Sequence, residues 1–322
     1  MIPEQYGGSG LGYLTFGVVL EETGKQLTAS PLLASALVGA SALLLGGSEA
    51  QKQAWLPKIV DGSAIFSLAV DEGPRHAPQR IALQAEASGQ GFVLNGSKTF
   101  VLEGVSATHL VVAARTQGQV NDTDGISLFL VAVDTPGVSC SRLQTADSRG
   151  YANVDFANVE LGSDMVVGEL HGASGLLDEI LDRARAGLAA EMLGTASQSF
   201  AMTLDYLKTR VQFGQVIGAF QALGHRAAGL FAEMELTRSC VEAALHAIDS
   251  ETGKVGQLCS LSKCKAGAFV FHASNELIQI HGGIGMTDEF DAGFYLKRAR
   301  AQDATYGNQA FHRDRYARLL DF

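Results

Sequence analysis

The sequence has few cysteines, a single tryptophan and fewer basic than acidic side chains. Its 322 residues include 24 lysines and arginines against 34 aspartates and glutamates, which gives a formal net charge of −10. Nucleic-acid surfaces need clustered cations that release counterions from phosphate, so this charge balance argues against nucleic acid as a partner. The four cysteines, Cys140, Cys240, Cys259 and Cys264, lack the paired short spacings of a zinc site. Free thiols are typical of a reducing compartment, and a cytoplasmic location is therefore expected.

Long apolar runs are also missing. The longest, residues 32–45, spans 14 residues, whereas a membrane-spanning helix needs about 20. The chain opens on Pro3, Glu4 and a glycine cluster, which is unlike the basic and then apolar start of a signal peptide. The composition, 47% hydrophobic and 18% charged, is that of a globular protein with packed cores. No membrane association is expected.

Three patterns follow one another along the chain. Leucines and alanines recur at helical steps from Gly12 to Val60, and short apolar runs separated by turn residues follow as far as about Gly168. Long helical blocks then continue to the end of the chain. The sequence predicts an α+β protein of three domains: an N-terminal helical domain at 1–62, a middle antiparallel β-barrel or sandwich at 63–168 and a C-terminal four-helix bundle at 169–322.

Two short stretches favour a binding site in the last domain. Residues 279–286, QIHGGIGM, follow a helical block rather than a strand, so they are not a dinucleotide-binding turn. A glycine that closes a helix is the simpler interpretation, although two adjacent glycines also let a ligand approach the backbone. Residues 210–221, RVQFGQVIGAFQ, place Arg210 before a turn at Phe213-Gly214, where a guanidinium can bind phosphate or cap a helix end.

Four segments together resemble the acyl-CoA dehydrogenase family: PEQYGGSGLGYL near the start, LNGSKTF at 94–100, RVQFG at 210–214 and QIHGGIGM at 279–286. The resemblance covers essentially the whole chain, and the family fold has the same three domains. Family members usually carry additional helices before the first segment, so the resemblance implies a shortened N-terminal domain.

The resemblance also concerns the cofactor, because tetramers of this family bind each FAD across a subunit interface. The resemblance implies that this chain contacts a neighbouring subunit's FAD. The positions implied are Arg210, Gln212, Phe213, Phe220, Gln221, Gln279, Gly282 and Gly283.

The chain departs from the family where a subunit contacts its own flavin. Residues 70–78, VDEGPRHAP, have Arg75 and His76 where the family has small residues. In the next segment, Leu102 replaces a hydroxyl residue that donates to flavin N5, and Glu103 would place a negative charge near the ring.

The family base is also missing. It is a glutamate before a glycine, and the matching position before Gly307 is Tyr306, whose phenol has a reference pKa near ~10 and accepts protons poorly. An alternative family position for the base, on an earlier helix, matches Ala184. Asp303, one turn before Tyr306, is a weaker substitute base.

The resemblance also implies substrate contacts. Asp182, Arg185 and Arg318 match positions that meet the acyl-CoA thioester, although Asp182 and Arg185, three apart on a helix, also fit a simple surface pair.

The residues that differ from the family are those that would contact the chain's own flavin. The residues that would reach a neighbouring subunit's flavin are kept. This pattern resembles the heteromeric acyl-CoA dehydrogenases of actinobacterial steroid side-chain degradation, and it implies a heterotetramer with an intact subunit. Two alternatives stay open: a homotetrameric flavoenzyme with a displaced base, either Asp303 or Tyr306, and a non-enzymatic scaffold on the same fold.

Overall fold

The computed structural model describes residues 1–322, which divide into two compact units. The first contains residues 1–12 and 30–184, and the second contains residues 13–29 and 185–322. Helix α4 (Ser174–Thr209) begins in the first unit and ends in the second.

The first unit is built on one β-sheet. A π-helical segment (Leu32–Gly39) continues into α2 (Ala40–Gly46), and α3 (Glu49–Val60) precedes the strands. The strands are β1 (Phe66–Ala69), β2 (Gln84–Ser88), β3 (Gly91–Val101), β4 (His109–Arg115), β5 (Ile126–Ala132), β6 (Val138–Arg142), β7 (Ala152–Gly162) and β8 (Val166–Val167).

The eight-stranded sheet has the order β6-β7-β3-β2-β4-β5-β8, with β1 beside β4. Most pairings are antiparallel, as the turn-separated runs predict, but β4 pairs in parallel with both β1 and β2. Apolar residues that alternate along β3 and β7 face one core, which includes Leu94, Phe129 and Val154.

The second unit is helical. It contains α1 (Tyr13–Lys25), the later part of α4, α5 (Gln221–Asp249), α6 (Val255–His281), α7 (Ala292–Ala304) and α8 (Gln309–Arg318). Apolar residues at helical steps along α4 are buried, including Leu188 and Met192. The prediction of N-terminal helices, a β domain and C-terminal helices is confirmed, while the limits at 62 and 168 stay a prediction.

Helix α1 packs tightly in this unit. A Cβ atom at Gly194 of α4 would lie 1.9 Å from the Glu21 carbonyl oxygen, and one at Gly24 would lie 2.1 Å from the Glu191 carbonyl oxygen. Two glycines therefore let the backbones of α1 and α4 approach each other, as small residues do at close helix crossings. At the other end of α1, the Asp249 carboxylate accepts hydrogen bonds from the first backbone N–H groups.

Candidate functional site

A small hairpin follows α4. Strands β9 (Val211–Gln212) and β10 (Gln215–Val216) pair only with each other, around a turn at Phe213 and Gly214. Phe213 has φ +54° and Gly214 has φ +77°, the left-handed pair of a type I′ turn. A phenylalanine in this region costs about 1–2 kcal/mol, yet the Phe213 side chain is 90% exposed. The hairpin therefore presents an aromatic ring outward at the expense of backbone strain.

The start of α5 lies beside this hairpin. Phe220 precedes the helix, and its ring packs edge-on against Phe213 with 6.0 Å between centroids. Gln221 is the first helical residue and is exposed. The first N–H groups of a helix have no intrahelical acceptor, and the helix dipole makes this end attractive to anions. Arg210, exposed just after α4, adds a guanidinium.

The end of α6 provides an open backbone. The helix ends at His281, and Gly282 with φ +63° closes it, as the glycine pair predicts. No atom lies within 4 Å of a Cβ placed on Gly282 or Gly283. Gln279 is exposed one turn earlier. Nothing within the chain therefore blocks a ligand from approaching this loop.

Helix packing brings the three segments to one end of the helical unit. The Tyr206 ring, one turn before Arg210, stacks on His281 at 4.1 Å, and its hydroxyl donates to the His281 carbonyl at 3.5 Å. Helices α5 and α6 run antiparallel, held by the ion pairs Arg226–Glu276 at 2.6 Å and Lys265–Glu233 at 2.7 Å. The first residues of α5 therefore lie beside the last residues of α6.

Sequence reasoning missed the aromatic stack that supports this end. His281 lies between Tyr206 and Phe290, whose ring is 4.3 Å from it. Its Nδ1 donates to the Leu277 carbonyl at 2.7 Å, and burial lowers the pKa of the imidazole, which favours the neutral ring. The sequence features that could have indicated this stack are Tyr206, an aromatic residue one turn before Arg210, and His281, which directly precedes the glycine pair.

The chemistry of these residues fits the phosphate groups of a dinucleotide that approaches from solvent. The set combines an exposed guanidinium, a helix N-terminus, an exposed amide and open glycine backbone, all at one end of the unit. Each of these groups is a known type of phosphate or polar contact.

The segment at 70–78 is closed by its own side chains. His76 is turned inward, with its side chain 3% exposed and its Nδ1 at 2.9 Å from an Asp71 oxygen. Glu72 pairs at 2.6 Å with the fully buried Lys98, and it also accepts from the backbone N–H of Leu83 at 3.0 Å. Arg75 is exposed. The acids Asp71 and Glu72 of this segment therefore have partners within the chain.

The segment at 100–103 offers no hydroxyl at its third residue. The Leu102 side chain is 4% exposed, and its carbonyl accepts a hydrogen bond from Ser67. Phe100 and Glu103 flank it with left-handed φ values of +53° and +54°. The backbone turns sharply here, but no side-chain donor stands where the family's flavin contact would be, so these residues do not fit a flavin ring.

The position of the family base lies in a turn between α7 and α8. Tyr306 is 8% exposed and has φ +56°, and Gly307 follows with φ +100°. Two buried side chains hold this turn. Lys263 donates to the carbonyls of Asp303 and Gly307 at 3.0 and 2.9 Å, and His312 Nε2 lies 3.1 Å from the Tyr306 carbonyl.

Lys263 should make stability depend on pH. Burial lowers the pKa of Lys263 to about 8 from 10.5, against the opposing attraction of Asp303. Between these two values the unfolded chain binds the proton more tightly than the folded chain, so the free energy of unfolding should rise with pH. The expected gain from pH 7.5 to 10 is about 2 kcal/mol.

The measurement is urea unfolding across this range, for the wild type and for Lys263→Met. The variant should lack the rise, because it has no amine to titrate. Parallel curves for the two proteins would show that Lys263 titrates normally.

The three substrate candidates lie in different surroundings. Asp182 and Arg185 on α4 are 5% and 0% exposed, so neither is a surface residue. The Arg185 guanidinium lies 5.6 Å over the Phe311 ring. Arg318 is exposed and pairs with Asp314 at 2.7 Å.

No group of three or more histidine, cysteine or acidic side chains could hold a metal ion. None of the helices combines the length and apolar character needed to cross a bilayer.

N-terminal helices, a mainly antiparallel sheet and C-terminal helices, in this order, are the architecture of the acyl-CoA dehydrogenase fold. The chain belongs to the acyl-CoA dehydrogenase family, because models of the family's N-terminal, middle and C-terminal domains match residues 1–63, 75–162 and 171–320. Members of this family are FAD-dependent oxidoreductases that act on CH–CH bonds.

Individual relatives agree with this assignment. The chain is 30% identical to a probable acyl-CoA dehydrogenase, YngJ, of Bacillus subtilis, over 99% of this chain and 85% of that protein. It superimposes on one chain of the ChsE4-ChsE5 complex from Mycobacterium tuberculosis with TM-score 0.89 and 27% identity, over 99% of this chain and 83% of that chain. The Tcur3481-Tcur3483 steroid ACAD variant gives TM-score 0.89 and 31% identity, over 99% and 84% of the two chains.

Proposed function

We propose that this chain is a subunit of an FAD-dependent acyl-CoA dehydrogenase and completes the FAD site of a catalytically competent partner. The observation that carries the proposal is a contrast within the chain. The groups at the end of the helical unit are exposed and open, whereas the segments at 70–78 and 100–103 are closed on themselves or lack a donor. The chain is thus equipped to contact a cofactor held mainly by another subunit.

The residues proposed to hold the partner's FAD act in two ways. Arg210 and the α5 N-terminus would bind the pyrophosphate, and the open loop of α6 would lie along the rest of the dinucleotide. The full set is Arg210, Gln212, Phe213, Phe220, Gln221, Gln279, Gly282 and Gly283. FAD supplies the hydride acceptor for α,β-dehydrogenation of an acyl-CoA thioester.

The partner would supply the base. In this chain the matching position is Tyr306, and a phenol is a poorer proton acceptor than the family glutamate for the α-proton of a thioester. Asp182, Arg185 and Arg318 remain the proposed acyl-CoA contacts. Burial of Asp182 and Arg185 means that they would act by shaping the pocket wall rather than as mobile surface charges.

Two solved relatives support an unlike partner. The ChsE4-ChsE5 structure is a complex of two differently named proteins, and the Tcur3481-Tcur3483 structure is described as a steroid enzyme. We therefore propose an α2β2 heterotetramer that acts on a bulky, steroid-type acyl-CoA. A cytoplasmic location belongs to the same proposal and is supported by four free cysteines.

One observation favours a second candidate function. The Asp303 Oδ1 atom is buried without a hydrogen-bond partner, and Gly267 leaves room for it, since a Cβ there would lie 2.6 Å from this oxygen. A buried, unsolvated carboxylate oxygen is a usable proton acceptor. In a homotetramer with altered flavin chemistry, Asp303 or Tyr306 would then serve as the displaced base.

FAD stoichiometry separates the two candidates. The chain expressed alone should be colourless or insoluble, and co-expression with an intact family member as partner should give about one FAD per pair of chains. The measurement is the flavin absorption spectrum with protein quantitation. One FAD per chain in the protein expressed alone would exclude the half-site proposal and favour the homotetramer.

A further inference from the structure

One face of α7 carries an exposed aromatic ring between an acid and a base. The Phe294 side chain is 59% exposed. Asp291 and Lys297, three residues before and after it, are exposed as well. Lys297 Nζ lies 5.9 Å from the centre of the Phe294 ring, and no ion pair of the structure includes Lys297 or Asp291.

The same charge order extends beyond this helical turn. Asp288 and Glu289 are exposed before α7 begins. After Phe294, the exposed Arg300 stacks its guanidinium 3.7 Å from the Phe271 ring, which is itself 44% exposed. The surface at 288–300 thus runs from acid through an aromatic ring to cation.

This order is self-complementary. Three helical residues advance about 4.5 Å and turn by about 300°, so Asp291 and Lys297 lie symmetrically on either side of Phe294. A two-fold axis beside Phe294 exchanges the two sides, and it brings the acid of one copy to the cation of the other at two places. We propose that this face of α7 binds the same face of a second copy of this chain, with the two Phe294 rings in contact at the centre.

A second copy fits better than an unrelated occupant because the complementary groups are already present in the face. Two chains of net charge −10 repel each other overall, so a contact between them needs local pairing of opposite charges. The face does not include the proposed FAD contacts. The contact would join the two copies of this chain in an α2β2 assembly, but it does not depend on the presence of FAD.

Charge reversal and exchange test the contact. Lys297→Glu places acids on both sides of Phe294, and Asp291→Lys places cations on both sides. Each variant alone should weaken association of the two copies at least tenfold. An equimolar mixture of the two variants, and the double variant Asp291→Lys with Lys297→Asp, should both restore it to within about threefold of wild type.

Native mass spectrometry would count copies of this chain per particle, in the protein alone or with its partner subunit. Arg313→Glu, an exposed cation on α8, changes the net charge equally and should have no effect. Any of three results would overturn the proposal: a wild-type particle that contains one copy of this chain, single variants that associate as the wild type does, or a mixture of the two variants in which association is not restored. The FAD count per pair is measured on the same samples, so a failure of the cofactor proposal is seen separately.

Discussion

Arg210→Ala should weaken FAD binding by the assembled complex by about 2–4 kcal/mol, the scale for removing one partner of a buried charge pair. In the isolated chain Arg210 is exposed on the backbone that leads from α4 into the hairpin. Its charge would be buried only when a phosphate and a second subunit cover it. Assembly itself should largely survive, because the hairpin backbone bonds, such as Ile217 N–H to the Arg210 carbonyl at 2.8 Å, do not involve the guanidinium.

Titration of FAD into the stripped complex measures this effect. Lys208→Ala, an exposed cation one residue before the end of α4, is the matched control and should bind FAD as wild type does. Arg210→Lys should lie between, since an ammonium keeps the charge but loses the bidentate geometry. If Arg210→Ala retains wild-type affinity, this arginine only caps a helix end.

Gly194→Ala should lower the free energy of unfolding by about 4 kcal/mol. Its Cβ would meet the Glu21 carbonyl oxygen at 1.9 Å, and a backbone atom cannot move away without shifting α1 against α4. Because the helical unit contains both helices, the loss should appear in the unfolding of that unit. Gly24→Ala should behave in the same way, as its Cβ would lie 2.1 Å from the Glu191 carbonyl oxygen.

Gly229→Ala is the control for this prediction. Gly229 is exposed inside α5, and no atom lies within 4 Å of an added Cβ. This substitution should stabilise the protein by about 0.5–1 kcal/mol, through the better helix propensity of alanine. Urea midpoints of the three variants provide the comparison. A tolerated alanine at Gly194 would mean that α1 and α4 do not cross as closely as described.

Local patterns were sufficient for most elements of the fold. The spacing of apolar residues predicted a helical block before residue 279, and α6 occupies Val255–His281. The turn at Phe213-Gly214 was also predictable from its glycine, and it connects the two short strands β9 and β10. Strand β6 is hard to identify from the sequence, since VSCSR is short, carries little apolar surface and has no buried residue.

The arrangement of the site depended on pairings that a linear pattern does not contain. The approach of the 210–221 and 279–283 segments rests on antiparallel packing of α5 and α6, whose ion pair Arg226–Glu276 joins residues 50 apart. The burial of Arg185 and Lys263 was equally hidden. A charged residue on a helix is usually exposed, and only tertiary contacts, such as those of Lys263 with two carbonyls, offset part of the cost of its burial.

The hairpin at Phe213 also affects how long the unassembled chain persists in a cell. In a chain without its proposed partner, this ring and two unpaired strand edges are exposed to other proteins. Surfaces of this kind are recognised by chaperones and proteases, which remove subunits that stay unassembled. If the chain assembles with an unlike partner as proposed, we expect its abundance to follow that of the partner, so that matched synthesis of the two chains becomes a requirement of the fold itself.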